Sequence, residues 1–341
     1  MTGVSFVVPV HNGAAHITDT VASIAAQADG RPLEIIVVED RSTDGSAAVL
    51  RSLARAHPLT IVNGPGRGAA AAVNAGIRMA AHPIVCQVDQ DVVLEPGWMT
   101  TLVAALHPST SLGTGDPAVA AAQGCYVTDA RASFFARVMA LDLEQRYASL
   151  AEDSDHVCTG NTAYRASALR EAGPLDESLG YGYDNDLSYR LRAAGYRLAF
   201  CGAARSRHHW REGFTGYLAQ QYGFGYGRLD VVSRHPRRVT GDAVSPAGMM
   251  AHPLILGVAV MLLAFGAVAA GAALIGLLAV ERAIAGVRAW RMFGDPAALA
   301  FPVVHLARDA AWLAAVAVWT VRRVTRRPVR PEHSMIRRSP A

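Results

Sequence analysis

Lysine is absent from the 341-residue chain, and all 32 of its Lys/Arg residues are arginine. This reads as genomic base composition and carries no function of its own. Cysteine is scarce: Cys86, Cys125, Cys158 and Cys201 lie more than thirty residues apart, without the C-x-x-C spacing that zinc modules use. Free thiols in a reducing compartment are the expectation. The N-terminus, MTGVSFVVPV, lacks a basic n-region, and its apolar run is too short for a signal peptide, so the first two hundred residues are expected to remain in the cytoplasm. Internal repeats and low-complexity linkers are lacking too.

Net positive charge is missing where a nucleic-acid-binding domain would need it. Residues 1 to 204 carry 14 Arg against 21 acidic residues, whereas residues 205 to 238 carry seven Arg against two acids, and residues 322 to 341 seven Arg against one. The pI of about 9.0 therefore belongs to the C-terminal part, and nucleic acid is not an expected partner. What is abundant is apolar: 51% of residues are hydrophobic and the mean hydropathy is +0.20.

Residues 4 to 10, 33 to 39, 60 to 62 and 84 to 88 read as β-branched strands, separated by alanine-rich helical stretches at 17 to 28, 46 to 57 and 69 to 80. This alternation implies βαβ units and a parallel sheet covered on both faces, with ligands beyond the C-terminal strand ends. Those ends carry PVHN, EDRSTDGS and DQD. Further on, 118 to 127 reads as a strand, 131 to 150 as a helix, 158 to 173 as a turn into a helix, and 184 to 200 as a helix stopped near Gly195 with a strand after it. The 27 residues from Leu254 to Val280 contain no charge; as one helix they would extend ~40 Å, more than the ~30 Å hydrocarbon core. Glycines 266, 271 and 276 leave room for a break, so a re-entrant pair is the alternative to one span. A second apolar stretch, 299 to 321, is interrupted by His305, Arg308 and Asp309, and is expected either to span or to lie in the interface. With two spans, the positive-inside tendency puts the catalytic part and the tail RRVTRRPVR on the cytoplasmic side.

The segment IVCQVDQD ends an apolar strand with two aspartates one residue apart, so Asp89 and Asp91 project to the same side and repel. A hard divalent cation, Mg²⁺ or Mn²⁺, shared with a substrate phosphate would offset that repulsion. Two more D-x-D pairs occur, Asp153/Asp155 and Asp184/Asp186, but only the first closes an apolar strand.

Taken in order, VVPVHN, IIVVEDRSTDGS, RGAAAAVNAGI, VDQD, TGNTAYR and YDNDLSYRLRAAGYR resemble the motif series of inverting family 2 glycosyltransferases of GT-A fold, over residues 4 to about 235. The apolar C-terminal region is similar to that of membrane-bound members that build exopolysaccharides or glycolipids. The resemblance implies an α/β fold, with a Rossmann-like mixed sheet flanked by helices, plus C-terminal membrane helices. It implies a cytoplasmic GT-A domain over 1–238, with a nucleotide-binding half (1–115) and an acceptor and base half (116–238). A membrane region at 239–321 and a basic tail at 322–341 follow.

The implied reaction moves a sugar from a nucleoside diphosphate donor, a UDP-sugar by preference, to a hydroxyl of a lipid-linked or glycan acceptor at the cytoplasmic membrane. Asp40 matches the aspartate that bonds the base, with Pro9, His11 and Glu39 lining the same pocket. Arg67 faces the nucleotide or its diphosphate, and Asp89 meets ribose and metal. Asp91 binds the metal, with His208 as a further ligand. Asp184 falls at the general base, with Asp186 as the alternative. Gly160 and Asn161 shape the acceptor side, and Gln221 and Arg228 stand where relatives carry Gln and Arg beside the diphosphate.

Two departures, Tyr183 in place of an acid and Gly223 in place of an arginine, leave open a catalytically silent, membrane-anchored, sugar-nucleotide-binding subunit. A sugar-1-phosphate nucleotidyltransferase would need a glycine-rich phosphate loop that VPVHNGAAH does not supply. The face carrying Phe134, Phe135, Val138, Met139 and Leu141 is expected to pack in a core, with a membrane-surface helix as the alternative, and membrane lipids are expected partners, with residues 205 to 238 against anionic headgroups.

Overall fold

A computed structural model of the protein describes residues 1 to 106 and 118 to 325. The chain divides into two compact units, one formed by Met1–Val127 and Leu150–His209, the other by Thr128–Ser149 and, among the described residues, 210 to 325. The boundary expected at 238 is therefore not where the chain divides: residues 128 to 149 and 210 to 238 belong with the C-terminal helices. The expected divide near 115 and the tail beyond Thr325 lie outside the described residues.

In the first unit, β1 (Val4–Val10), α1 (Ile17–Ala25), β2 (Leu33–Glu39), α2 (Ser46–Ala56), β3 (Leu59–Asn63), α3 (Ala69–Met79) and β4 (Ile84–Val88) alternate as expected. Strands β3, β2, β1 and β4 lie side by side and parallel. Val4, Phe6, Val7 and Val8 are inaccessible to solvent, as the continuous apolar runs of doubly covered parallel strands require. Next come β5 (Val92–Leu94), α4 (Trp98–Leu106) and β6 (Val119–Tyr126), of which β5 and α4 were not legible as separate elements.

Past α5 (Phe134–Tyr147), which belongs to the second unit, the first unit resumes with β7 (Asp153–Ser154), β8 (Asn161–Arg165), α6 (Ala166–Ala172), α7 (Tyr183–Ala193) and β9 (Arg197–His208). Within 158 to 173, expected as a turn into a helix, the helix is α6, but Asn161–Arg165 before it form the antiparallel strand β8, which inserts between β4 and β6 and makes the sheet mixed. Asn161 pairs with Val88, and Val92 pairs with His208, so one edge of the sheet collects the C-terminal ends of β1, β2, β4, β6 and β9.

Strand β9 bulges against β6: the partner of Gly124 is Cys201, but that of Cys125 is Arg205. Gly124 permits this, since a Cβ there would sit 2.6 Å from the Ala204 carbonyl oxygen and from Trp98 Nε1. The bulge adjusts the register that ends at His208.

The second unit is helical, with α5, α8 (Phe214–Arg234), α9 (Ala247–Ala264), α10 (Val268–Phe293) and α11 (Phe301–Val324). The single span expected over 254 to 280 is two helices. Gly266 takes a left-handed φ of 82°, and the Ala267 N–H reaches back to the Leu262 carbonyl, closing α9 with a Schellman-type turn. Gly271 then lets α10 fold back closely on α9, because a Cβ there would lie 2.9 Å from the Ala259 carbonyl oxygen. Three helical segments are long and apolar enough to cross a membrane: Ala247–Ala264, Val268–Phe293 and Pro296–Val324.

The charges that interrupt α11 do not face outward. His305, Arg308 and Asp309 are buried at 2%, 3% and 1% exposure, packed toward Asp142 of α5 and His252 of α9. The apolar face of α5 is covered as well: Val138, Met139 and Leu141 cluster with Tyr217, Ala289, Ala297, Phe301 and Val304. Core packing is thus the place of that face, while Phe134 remains exposed.

Candidate functional site

The polar edge of the first unit is assembled from four loops that the sheet brings together. Gln90, between the two aspartates of D-Q-D, is stitched to the loop after β1: its side chain accepts from His11 N–H (2.8 Å) and donates to the His11 carbonyl (3.1 Å). Gly13 leaves the space Gln90 occupies. On the other flank, Gly160 leaves space for Asp89, whose carboxylate lies where a Cβ of residue 160 would be, and the Asp89 N–H donates to the Gly160 carbonyl at 3.2 Å. Gly160, expected on the acceptor side, packs closely against Asp89. Asn161 is fully buried with Oδ1 accepting from Trp98 Nε1 at 2.6 Å, so it too braces the site from behind.

Asp89, Asp91 and His208 each offer one ligand atom, and these atoms lie within 4.8 Å of one another. His208 Nε2 stands 3.4 Å from Asp91 Oδ1, and its ring meets Tyr126 edge-on at 5.5 Å. Of the two adjacent histidines, His208 enters the cluster; His209 stacks on His16 at 4.3 Å and donates its N–H to the Asp91 carbonyl. Burial, then the charge of Asp91, and then that of Asp184 push the Asp89 carboxyl up to about 6, against the lowering effects of a 2.9 Å bond from Gln87 and of His208. Negative charge is therefore concentrated here beyond what the protein neutralises. Two carboxylates and an imidazole make a donor set suited to a borderline or hard dication.

Asp184 opens α7, half-buried, with one oxygen accepting from Asn185 N–H and the other 3.7 Å from His156 Nε2. Its charge is felt at Asp89, at the Cys158 thiol and at the Tyr183 and Tyr164 hydroxyls, all of which are pushed up by burial first. Asp186 has a different occupation: it is buried and accepts from Arg190 Nε at 2.9 Å, and that guanidinium also caps the carbonyls of Gly173 and Pro174. The alternative base is thus engaged in holding the start of α7.

Asp40 is buried, and its Oδ1 accepts from Gly66 N–H at 2.5 Å, fixing the loop that carries Arg67. Arg67 reaches Glu177 at 2.6 Å, and Glu177 also accepts from Asn74. Glu39 accepts from Ser42 N–H, while His11 donates from Nδ1 to the Asp40 carbonyl; Pro9, Glu39 and His11 share the rim. Asn12 and Arg41 hold left-handed φ values of 55° and 60° in the two adjoining loops. Gln221 and Arg228 lie in the second unit, where Gln221 accepts from Trp312 Nε1 and Arg228 pairs with Asp242 at 2.7 Å. None of the four cysteines forms a disulfide.

Sequence reading missed Gln87, Tyr126, His156 and Glu177. Gln87 alone carried a signal, a polar side chain inside a buried strand with the same facing as Asp89.

A family model, "Glycosyl transferase family 2", matches residues 5 to 173. The chain belongs to glycosyl transferase family 2. It is 30% identical over 258 residues to the pre-mycofactocin glycosyltransferase of Mycobacterium tuberculosis, covering 74% of this chain but only 52% of that protein, so the chain spans about half the length of that relative. It is 26% identical over 322 residues to the succinoglycan biosynthesis protein ExoA of Rhizobium meliloti, covering 89% of this chain and 92% of that one. Among solved structures, the mannosyltransferase PcManGT of Pyrobaculum calidifontis, in complex with GDP-Man and Mn²⁺, shares the fold with a TM-score of 0.59 at 21% identity over 95% of this chain and 88% of that chain. The chain has the fold of that solved structure, with apolar C-terminal helices.

Proposed function

We propose that this family 2 glycosyltransferase transfers a sugar, with inversion, from a nucleoside diphosphate donor to a hydroxyl of a lipid-linked or glycan acceptor, with Asp184 as general base. The observation that carries the reading is the meeting of Asp184 with the Asp89, Asp91 and His208 cluster at the C-terminal edge of the sheet. Asp89, Asp91 and His208 would hold a divalent cation, Mn²⁺ or Mg²⁺, which when bound supplies positive charge opposite the departing diphosphate. Asp184 takes the proton of the acceptor hydroxyl as its oxygen bonds to the anomeric carbon and the bond to the β-phosphate oxygen breaks; the nucleoside diphosphate leaves with the electron pair. His156, at 3.7 Å, orients the carboxylate of Asp184. Asp40 and the loop at Gly66 form the base end of the donor pocket, with Arg67 at its rim.

The α9 and α10 pair enters the cytoplasmic leaflet and returns on the same side. Helix α9 is ~27 Å long and the uncharged part of α10 ~20 Å. Helix α11 lies in the interface against α8: 39% of its apolar window is buried, against 11% for α10. This keeps the catalytic unit cytoplasmic.

The test is a screen of UDP- and GDP-sugars with purified protein, with and without Mn²⁺ or Mg²⁺, reading slow hydrolysis and transfer. One donor should be consumed in a metal-dependent way, and D184N should retain nucleotide binding while turnover falls about 100- to 10,000-fold. Equal turnover in D184N would overturn the base assignment.

A further inference from the structure

The second unit holds a cavity of about 840 Å³ walled by α5, α9, α10 and α11. Five arginines line it, Arg146, Arg282, Arg288, Arg291 and Arg308, against the carboxylates of Asp142 and Glu281. Their internal pairing is incomplete. Arg146 bonds Asp142 at 2.9 Å, with Arg308 Nη1 3.8 Å from the same carboxylate, and Arg282 is spent on Glu281. Burial alone would raise the Asp142 carboxyl, but Arg146, His305 and Arg308 outweigh it and hold it well below the usual range. Arg288 and Arg291, one turn apart on the polar end of α10, are exposed and meet no carboxylate among the described residues. Arg308 is only 3% exposed, yet its Nη2 has no hydrogen-bond partner among the described residues. A buried guanidinium with an unused N–H, in a cavity with surplus positive charge, is built for an anion, and guanidinium matches phosphate oxygens bidentately.

The flanking surface says what carries that anion. Leu254, Val258, Met261, Leu277, Val280 and Met292 of α9 and α10 are each more than half exposed. The cavity opens at the polar end of this apolar hairpin, where α9 begins and α10 ends, the level of a headgroup when the hairpin is in a bilayer. With Asp309, 3.3 Å from Arg308 Nε, counted beside Asp142 and Glu281, the arginines exceed the carboxylates by two, which suits a diphosphate with about two negative charges better than a phosphodiester headgroup with about one.

We propose that this cavity binds the diphosphate group of a lipid-anchored molecule, with Arg308 at its floor and Arg288 and Arg291 at its mouth. In the transferase reading above, on which this last identification rests, that molecule is the acceptor.

The experiment uses the full chain in nanodiscs of neutral phosphatidylcholine, titrated with geranylgeranyl diphosphate and read by native mass spectrometry. Saturable binding is expected, with geranylgeraniol, inorganic diphosphate and phosphatidylglycerol each binding about tenfold more weakly or worse. R288Q/R291Q, and separately S149E at the exposed rim, should weaken geranylgeranyl diphosphate by about tenfold, with the thermal melt and sugar-nucleotide hydrolysis unchanged. Undiminished binding in both variants, or equal binding of geranylgeraniol or phosphatidylglycerol, overturns the site. If the wild-type protein binds the lipid diphosphate as expected but consumes no sugar nucleotide, the cavity stands and the catalytic reading falls.

Discussion

Two buried carboxylates, one in each unit, are held in opposite ways. In the second, Asp242 is 1% exposed in its side chain and fully matched: Oδ2 takes Arg228 at 2.7 Å, and Oδ1 takes the N–H groups of Val244 and Ser245. In the first, Asp89 has Asp91 and Asp184 as electrostatic neighbours, which Gln87 and His208 offset in part. A matched carboxylate is scaffold; a crowded one is a place kept for something positive. Substitution should therefore have opposite consequences in the two places.

The largest effect is expected where the match is complete. D242A removes the carboxylate that pairs with the buried Arg228 and the acceptor for two loop N–H groups, and should cost about 3–5 kcal/mol of stability. Denaturant melts of the full chain in detergent read this directly; a loss under about 1 kcal/mol would mean that the pair is no scaffold.

Removing a carboxylate from the crowded cluster should do the reverse. D91N should cut metal-dependent turnover about 100- to 1,000-fold. The metal-free protein should be no less stable, since the change removes a repulsion and, among the described residues, only the ion contact with His208. Loss of the melt together with activity would place Asp91 with the scaffold instead.

How far this contrast was legible beforehand follows from distance along the chain. The parallel strands and D-Q-D declare themselves through local runs of β-branched residues, and Asp89 and Asp91 fall beside each other because they are two residues apart. His208 joins them only because β9 pairs with β5 and bulges past β6, a register no local pattern encodes. Asp184 and Asp186 look alike in sequence; Arg190, one helical turn on, separates them by engaging Asp186. The uncharged run from Leu254 to Val280 gave length but not its break, because Gly266, Gly271 and Gly276 offer the same composition and only Gly266 takes the left-handed φ. Gln221 and Arg228 carried no mark that they sit in another unit.

A smaller effect probes how the register is set. In G124A the new Cβ would press on the Ala204 carbonyl and the Trp98 indole, and overpacking of this kind costs about 1–3 kcal/mol. Because the bulge carries His208 into the cluster, Mn²⁺ affinity should weaken along with the melt. An unchanged melt would show that β9 finds the same register without the glycine.

The smallest effect comes from a charge pair that belongs to neither pattern. Arg67 and Glu177 are bonded at 2.6 Å, but the arginine side chain is 64% exposed, and exposed pairs contribute about 0–1 kcal/mol. E177Q should leave the melt within about 0.5 kcal/mol. If Arg67 faces the donor diphosphate, the pair acts on binding: E177Q should shift the donor KM by about threefold or less with kcat unchanged, and R67Q should raise KM further. A fall in kcat without a change in KM would instead mean that Glu177 acts through Asn74 and the buried Leu175 backbone, since Asn74 bonds both Glu177 and Leu175, and so through the segment leading to α7 and Asp184.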